Sequence, residues 1–278
     1  MPLLVTSASG DNGNGFGALL AFELDGRLRG TFIDDDRIAD PRGLAVDPKD
    51  NLLFLNSGAD RVLAISSQRR IVRDTGRIEG LNPGGGNFGR DGRYFVGLRS
   101  TSTIITLSPR LNGAVENVLP PQVVPFPRGF AFGDDGRLFL ASGIGPDGHG
   151  DNTILAFIPG KPIQPFRLIA DQELSPLDLA IAPNGNILVS SDRPFGAVDA
   201  VTSVREYDET DGHLVRVFSP NGRAEFRNPR GLRFAPNGLL YCVARDEVVG
   251  FDFASGECLG AVARLPRLNG QAMVFFPS

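Results

Sequence analysis

One sequence pattern recurs five times along the chain and constrains its fold more than any other feature. It reads Pro-Arg-Gly, then a short apolar stretch, then a turn, then a second apolar stretch. One copy has Leu-Asp in place of Arg-Gly, and another is weaker and glycine-rich. The copies begin at Pro41, Pro83, Pro127, Pro176 and Pro229, with separations of 42, 44, 49 and 53 residues. This period is typical of one four-stranded propeller blade per repeat.

Each copy predicts a run of short strands. In the first copy an apolar strand over 44–46 meets the turn Asp-Pro-Lys-Asp, and a second strand follows over 52–55. The turn residues favour a tight reversal. A third strand over 61–65 and a weaker fourth strand complete the unit. Alternation of apolar and polar residues with a period of two indicates strands rather than helices.

The two ends of the chain complement each other. Residues 269–277 have the pattern of a first strand that stops at the turn, and residues 3–7, 18–23 and 28–33 have the patterns of the other three. Joined, they form a sixth blade, and closing the ring removes an exposed strand edge. A sandwich with frayed termini does not explain this complementarity. The sequence therefore predicts an all-β protein with one domain, a six-bladed β-propeller. The expected blades are 41–82, 83–126, 127–175, 176–228, 229–267, and 268–278 plus 1–40.

Composition excludes several functional classes. Lys and Arg total 28 and Asp and Glu total 32, a net charge of −4. A general nucleic-acid or membrane-surface binder would have a basic excess, so neither partner is expected. The chain has two histidines and two cysteines, too few for a three-histidine zinc site or a disulfide framework.

No stretch is long and apolar enough to span a membrane, and no signal-peptide pattern is present, so we expect a cytoplasmic protein. The oligomeric state stays open.

Residues 41–48, Pro-Arg-Gly-Leu-Ala-Val-Asp-Pro, are followed by Ser-Gly-Ala-Asp-Arg-Val at 57–62. Together these segments resemble an NHL repeat, and the resemblance extends over essentially the whole chain. It implies a six-bladed propeller, the architecture shared by NHL domains and by SMP-30/gluconolactonase-like enzymes. That architecture carries binding modules, lactonases and lyases alike, so it leaves the function open.

The residue after each repeat's proline is expected to line the mouth of the central channel. Three blades place arginine there: Arg42, Arg128 and Arg230. A guanidinium is always charged and presents a planar fork suited to carboxylate or phosphate. The pattern therefore predicts an anion site at the mouth, with Asn269 and Gln271 of the sixth blade as further ligand-binding residues. The alternative is structural, with each arginine paired to an aspartate of a neighbouring blade.

Acid–base candidates come from one strand and from the long loops. Asp178 stands where the other copies have glycine, so its carboxylate either neutralises an arginine or acts as a base. The loops 7–17, 142–152 and 191–203 are long and are expected on the same face. His149 is the only histidine in them and is the second acid–base candidate. Three loop residues complete the predicted ligand-binding set: Asp147, Asp151 and Asp192.

No metal residue or resident cofactor is predicted. The segment 147–158 superficially resembles a calcium loop, but its sixth residue is Asn152 and its twelfth is Ile158. The resemblance to SMP-30 lactonases implies a divalent metal held by Glu, Asn and Asp near the axis. The corresponding positions hold three arginines, Gly84 and Asn269, of which only Asn269 offers an oxygen. A divalent cation remains a minor alternative.

Two functions follow from these features. The first is an NHL-type propeller that binds an anionic small molecule or a peptide at the channel mouth. The second is a hydrolase or lyase, lactonase-like or streptogramin-lyase-like, acting at the same mouth. In that enzyme the arginines would stabilise charge, and His149 or Asp178 would transfer protons.

Overall fold

The computed structural model describes residues 1–9, 15–119, 124, 126–142, 152–158, 166–192, 202–222 and 226–277. Within this part of the chain, 24 strands form six antiparallel sheets of four strands each. The six-bladed, all-β propeller is therefore confirmed. The described part contains no helix that could cross a membrane.

The first three blades follow one another along the chain. The first blade comprises β4 (Leu44–Val46), β5 (Leu53–Ser57), β6 (Arg61–Ile65) and β7 (Ile71–Asp74). The second comprises β8 (Pro83–Phe88), β9 (Tyr94–Leu98), β10 (Thr103–Leu107) and β11 (Glu116–Asn117). The third comprises β12 (Pro127–Phe132), β13 (Leu138–Ser142), β14 (Thr153–Phe157) and β15 (Phe166–Ala170).

The other three blades include the one that closes the ring. The fourth comprises β16 (Pro176–Ile181), β17 (Ile187–Ser191), β18 (Ser203–Tyr207) and β19 (Leu214–Phe218). The fifth comprises β20 (Gly231–Phe234), β21 (Leu240–Val243), β22 (Glu247–Phe251) and β23 (Cys258–Arg264). The sixth orders β24 (Gly270–Phe275), β1 (Leu3–Ser7), β2 (Ala18–Phe22) and β3 (Leu28–Thr31).

The ring is closed by pairing of the first and last strands. β1 runs antiparallel to β24, with Val5 opposite Met273. The Thr6 hydroxyl donates to the carbonyl oxygen of Arg42 at 3.0 Å and accepts from the amide of Ala272 at 2.9 Å. One side chain thus connects both halves of the sixth blade to the first blade. The ring closure expected from the sequence is present in the structure.

The core lies between adjacent blades. Leu4 and Leu19 of the sixth blade pack in one buried cluster with Leu44 and Leu53 of the first. Second strands are buried along their whole length, whereas outer strands such as β19 are largely exposed. Each blade therefore depends on its neighbours for apolar burial, as expected of a repeat that cannot bury its faces alone.

Inner strands pack tightly around the axis. A Cβ atom added to Gly43 would lie 2.6 Å from the carbonyl oxygen of Gly84, so only glycine allows this approach between the first and second blades. The close packing brings the residues beside each inner strand to a common centre.

Candidate functional site

All six blades contribute to a cavity of about 310 Å³ at the axis, here called the axial cavity. Its walls come from the residues that precede and begin the inner strands. They are residues 42–44, 84–86, 128–130, 177–178, 230, 233 and 271–272, together with Arg99 and Phe126. The repeat brings the residue after each of its five prolines to this one place, so most of the cavity follows from the periodicity of the sequence.

Arginine dominates the polar lining of the axial cavity. Five guanidinium groups line it, whereas Asp178 is the one carboxylate among its described lining residues. The arginines are Arg42, Arg99, Arg128, Arg230 and Arg233. The three arginines that follow repeat prolines thus lie together, and two further arginines join them.

The sequence reasoning missed Arg99 and Arg233. Arg99 directly follows β9, so it reaches the cavity from the end of a second strand. No repeat signature marks that position. Arg233 does have a signal, because it lies inside β20 at a position where three other copies carry alanine: Ala45, Ala131 and Ala180. A charged residue at a repeat position that is otherwise occupied by alanine is the signal by which Arg233 could have been identified.

Each of the three guanidinium nitrogens of Arg42 donates to a neighbouring side chain. Its Nε and Nη2 donate to Oδ2 of Asp40 at 3.2 and 2.9 Å. Its Nη1 donates to Oδ1 of Asn82 at 2.5 Å. The carboxylate partner that the structural alternative required is therefore present for Arg42, although Asp40 precedes it in the same segment rather than coming from another blade.

Arg128 and Arg230 have neutral partners instead. Arg128 donates from Nη1 to the carbonyl oxygen of Pro176 at 3.0 Å, and Arg230 donates from Nη1 to Oε1 of Gln271. Neither forms a salt bridge with a described residue. Their remaining nitrogens have no hydrogen-bond partner in the described part of the chain, so most donors of these guanidinium groups are unused by the described residues.

Arg99 has still fewer partners. Its Nε is buried, and no described residue accepts a hydrogen bond from it. Its guanidinium carbon lies 5.4 Å from the centre of the Phe126 ring, a cation–π contact. This contact orients the side chain without using its donors. A buried donor without an acceptor costs free energy, so the Nε of Arg99 has an unused hydrogen-bonding capacity.

The electrostatics of these three side chains reflect their shared burial. Burial, and then the charges of Arg42, Arg230 and Arg128, lower the pKa of Arg99 to about 10. Burial and Arg230 likewise lower the pKa of Arg128 to about 10, against an opposing effect of Asp192. Burial also lowers the pKa of Arg230. Arginine is effectively always protonated in proteins, so the described lining contains five cationic groups and one carboxyl group.

Asp178 connects the fourth and fifth blades at the cavity wall. Its Oδ2 accepts from the amide of Leu232 and from Nη1 of Arg233, both at 3.0 Å. Burial raises the pKa of this carboxyl group, and the charge of Arg233 opposes that shift. Asp178 therefore neutralises Arg233, and it is also the one carboxyl group of the described lining that could exchange a proton with a ligand.

The remaining predicted residues have different placements. Gln271 lines the cavity and donates from Nε2 to the carbonyl oxygen of Asn269 at 3.0 Å. Asn269 does not line it; its Nδ2 donates to the carbonyl oxygen of Ala8 at 2.9 Å. Asp192 also lies outside the lining, and its carboxylate accepts a hydrogen bond from the Thr202 hydroxyl at 3.3 Å. The negative charge of Asp192 opposes the lowering of the pKa of Arg128 and of Arg230. Three others lie outside the described residues: Asp147, His149 and Asp151.

A lactonase-type divalent metal does not match the axial cavity. Its described side chains offer oxygen only at Asp178, which is bound to Arg233, and at Gln271, which is bound to Arg230. Five guanidinium groups would repel a cation there. The described lining thus offers mainly hydrogen-bond donors rather than oxygen ligands for a metal.

One acidic cluster lies elsewhere, in the exposed turn before β19. Asp208, Asp211 and His213 place their polar atoms within 4.8 Å of one another. The aspartates already accept from backbone amides, with the Thr210 amide 2.7 Å from Oδ1 of Asp208 and the His213 amide 3.0 Å from Oδ1 of Asp211. Turn formation accounts for this cluster.

Fold and cavity together define a class: a six-bladed β-propeller with an arginine-lined axial cavity. No protein-family model and no curated protein sequence matches the chain. Solved structures do match. A chain of a nidogen/laminin complex aligns with a TM-score of 0.76 at 12% identity, covering 98% of this chain and 97% of that one.

Two enzymes are similar in fold. A gluconolactonase from Xanthomonas campestris aligns with a TM-score of 0.65 at 16% identity, covering 96% of this chain and 86% of that one. A streptogramin B lyase aligns with a TM-score of 0.58 at 14% identity, covering 77% of this chain and 66% of that one. At these identities the likeness shows a shared fold alone. The propeller that the sequence resemblance implied is thereby confirmed.

Proposed function

We propose that this protein binds an anionic small molecule in the axial cavity. The observation that carries the proposal is the grouping of Arg99, Arg128 and Arg230 around one cavity without a salt bridge to any described residue. Three like charges that are close and partly buried repel one another. A bound anion would relieve this repulsion and accept the hydrogen bonds that the protein leaves unmade.

The size of the cavity favours a small ligand over a peptide. Its volume of about 310 Å³ lies at the lower end of the range for small-molecule sites. Apolar side chains share the lining with the arginines, among them Leu44, Phe126, Phe130 and Leu177. A mixed lining with a few convergent polar groups is the usual character of a small-molecule site.

A hydrolase or lyase is the second candidate, and Asp178 favours it. A carboxyl group whose pKa is raised by burial is a candidate general acid or base at the edge of a site. Neighbouring guanidinium groups could stabilise a developing oxyanion. Similarity in fold to a gluconolactonase and to a streptogramin B lyase is compatible with this candidate.

Calorimetric titration tests the binding proposal. Succinate, citrate and inorganic phosphate would be titrated at low ionic strength, with glucose as the neutral probe. We expect at least one anion to bind, no binding of glucose, and at least tenfold weaker anion binding to Arg128→Met. Arg27→Met removes an arginine whose side chain is 75% exposed and lies outside the lining, so its affinity should stay within twofold of the parent. Absence of binding by all three anions would refute the proposal.

The enzymatic candidate has its own test. Hydrolysis of five- and six-membered sugar lactones by the parent protein would be followed against pH, alongside Asp178→Asn. An activity that Asp178→Asn abolishes while anion affinity is retained would support catalysis. Equal lactone hydrolysis in both proteins would exclude Asp178 as the acid or base.

A further inference from the structure

Resting on the proposed function, we infer that the ligand is a phosphate monoester whose phosphoryl group is bound by Arg99, Arg128 and Arg230, here called the open arginines. This set differs from the trio that the sequence indicated. Arg99 takes the place of Arg42, which lines the same cavity but has other partners.

Hydrogen bonding separates the open arginines from the other two. Arg42 donates hydrogen bonds from Nε and Nη2 to Asp40 and from Nη1 to Asn82. Arg233 donates from Nη1 to Asp178 at 3.0 Å and to the carbonyl oxygen of Leu232 at 2.6 Å. Each of these two arginines has a carboxylate partner. The open arginines have none among the described residues, and a ligand anion would bind where cationic donors remain available.

Local charge indicates the valence of the ligand. Among the described residues, five arginines line the cavity, and three carboxylates pair with them or affect their pKa: Asp40, Asp178 and Asp192. These described groups together carry two excess positive charges. A phosphate monoester carries about −1.5 to −2 near neutrality, so it balances this excess. A monocarboxylate would leave one charge uncompensated.

The grouping of the open arginines indicates one compact anionic group rather than two separated ones. The charges of Arg128 and Arg230 both lower the pKa of Arg99. The charge of Arg230 also lowers the pKa of Arg128. All three open arginines line one cavity of about 310 Å³, and their guanidinium donors match a phosphoryl group, which offers three acceptor oxygens at one point. An extended dicarboxylate would direct one of its ends away from this group.

The rest of the lining accommodates the organic part of the ester. Phe126 and Phe130 line the cavity together with Leu44 and Leu177. Phe126 also contacts Arg99, so apolar surface begins beside the anion site. The volume of about 310 Å³ limits this organic part to a single ring or a short chain.

Calorimetry with four probes tests the assignment: phenyl phosphate, inorganic phosphate, succinate and benzoate. We expect phenyl phosphate to bind at least tenfold more tightly than succinate and benzoate. It should also bind more tightly than inorganic phosphate, because its ring can contact the apolar wall. Binding should weaken with added salt, as expected for charged groups at a site open to ions.

Variants test which arginines bind the phosphoryl group. Arg99→Met and Arg128→Met should each weaken phenyl phosphate binding at least tenfold. The matched control is the double variant Asp40→Asn/Arg42→Gln, which removes the arginine of an existing ion pair together with its partner and keeps the net charge. Its affinity should stay within threefold of the parent. Circular dichroism and thermal melts would confirm folding, and Arg99→Gln provides a polar replacement if Arg99→Met fails to fold.

The outcomes separate this inference from the proposed function. Tighter binding of succinate than of phenyl phosphate would overturn the ester assignment while leaving an anion site. Equal loss in the double variant and in Arg99→Met would overturn the choice of arginines. Failure of all four probes to bind would refute this inference, and failure of citrate as well would refute the anion site.

Discussion

Gly129 of the third blade lies directly against Asp178 of the fourth. A Cβ atom on Gly129 would be 2.2 Å from Oδ1 of Asp178 and 2.5 Å from its Cα. The third blade thus needs glycine at this position because both the backbone and the carboxylate of the fourth blade lie too close for a Cβ atom. The glycine of the repeat allows this close approach of two inner strands, and Asp178 adds its side chain to the contact.

Gly129→Ala should therefore destabilise the protein. The new methyl group meets backbone and a hydrogen-bonded carboxylate, neither of which can move freely, so we expect a loss of about 1–3 kcal/mol or more. Chemical denaturation measures it. Gly97→Ala is the matched control, because its Cβ would lie 3.5 Å from the nearest atom, an ordinary contact. Equal midpoints for both variants would contradict the close approach.

Arg128→Met should leave the stability of the ligand-free protein unchanged or raise it. The substitution removes one hydrogen bond, from Arg128 to the carbonyl oxygen of Pro176. It leaves no described carboxylate without its salt-bridge partner. The variant also removes a buried guanidinium group whose pKa is lowered by burial and by the charge of Arg230. Thermal melts in a buffer without multivalent anions measure the effect. A large drop in Tm would show that Arg128 has a structural ion pair instead.

Removing residues 1–7 should abolish cooperative folding. The truncation deletes β1, which pairs with both β2 and β24, and it removes the hydroxyl of Thr6 that connects two blades. The ring would then be open at two strand edges. Equilibrium denaturation of the truncated protein is the measurement. A midpoint equal to that of the parent would show that ring closure contributes little stability.

Asp35 should make stability depend on pH in the acid range. Hydrogen bonds from Arg37 lower the pKa of Asp35 from 3.8 to about 2. A lowered pKa means stability that is present above pH 4 and lost as the pH falls toward 2. Solvent screening reduces the full linkage value, so we expect about 1 kcal/mol. The free energy of unfolding of the parent should exceed that of Asp35→Asn by this amount at pH 6 and by much less at pH 2, where the carboxyl group is about half protonated.

The control for this measurement is the next residue along the chain. Asp36 is exposed, so Asp36→Asn should follow the parent protein from pH 6 to pH 2. An Asp35→Asn curve that runs parallel to the parent over the same range would contradict a stabilising role for the Asp35–Arg37 pair.

The candidate site was only partly predictable. Sequence reasoning brought Arg42, Arg128 and Arg230 to one place, because the repeat carries the residue after each proline to the axis. It could not separate Arg42 from the other two, since Asp40 binds Arg42 through a local turn geometry that spacing does not reveal. Arg99 follows a second strand at no repeated position, so nothing in the pattern singled it out.

The number of blades, the joining of the two termini and the axial position of the residues after each proline were determined by the sequence alone. These features depend on periodicity, and a period is visible along the chain. Contacts between blades decided the rest. Asp178 meets Arg233 across a separation of 55 residues, and Arg128 meets Pro176 across 48. Whether a guanidinium has a partner depends on such distant contacts, so only the tertiary structure separates the arginines that stabilise the ring from those available to a ligand.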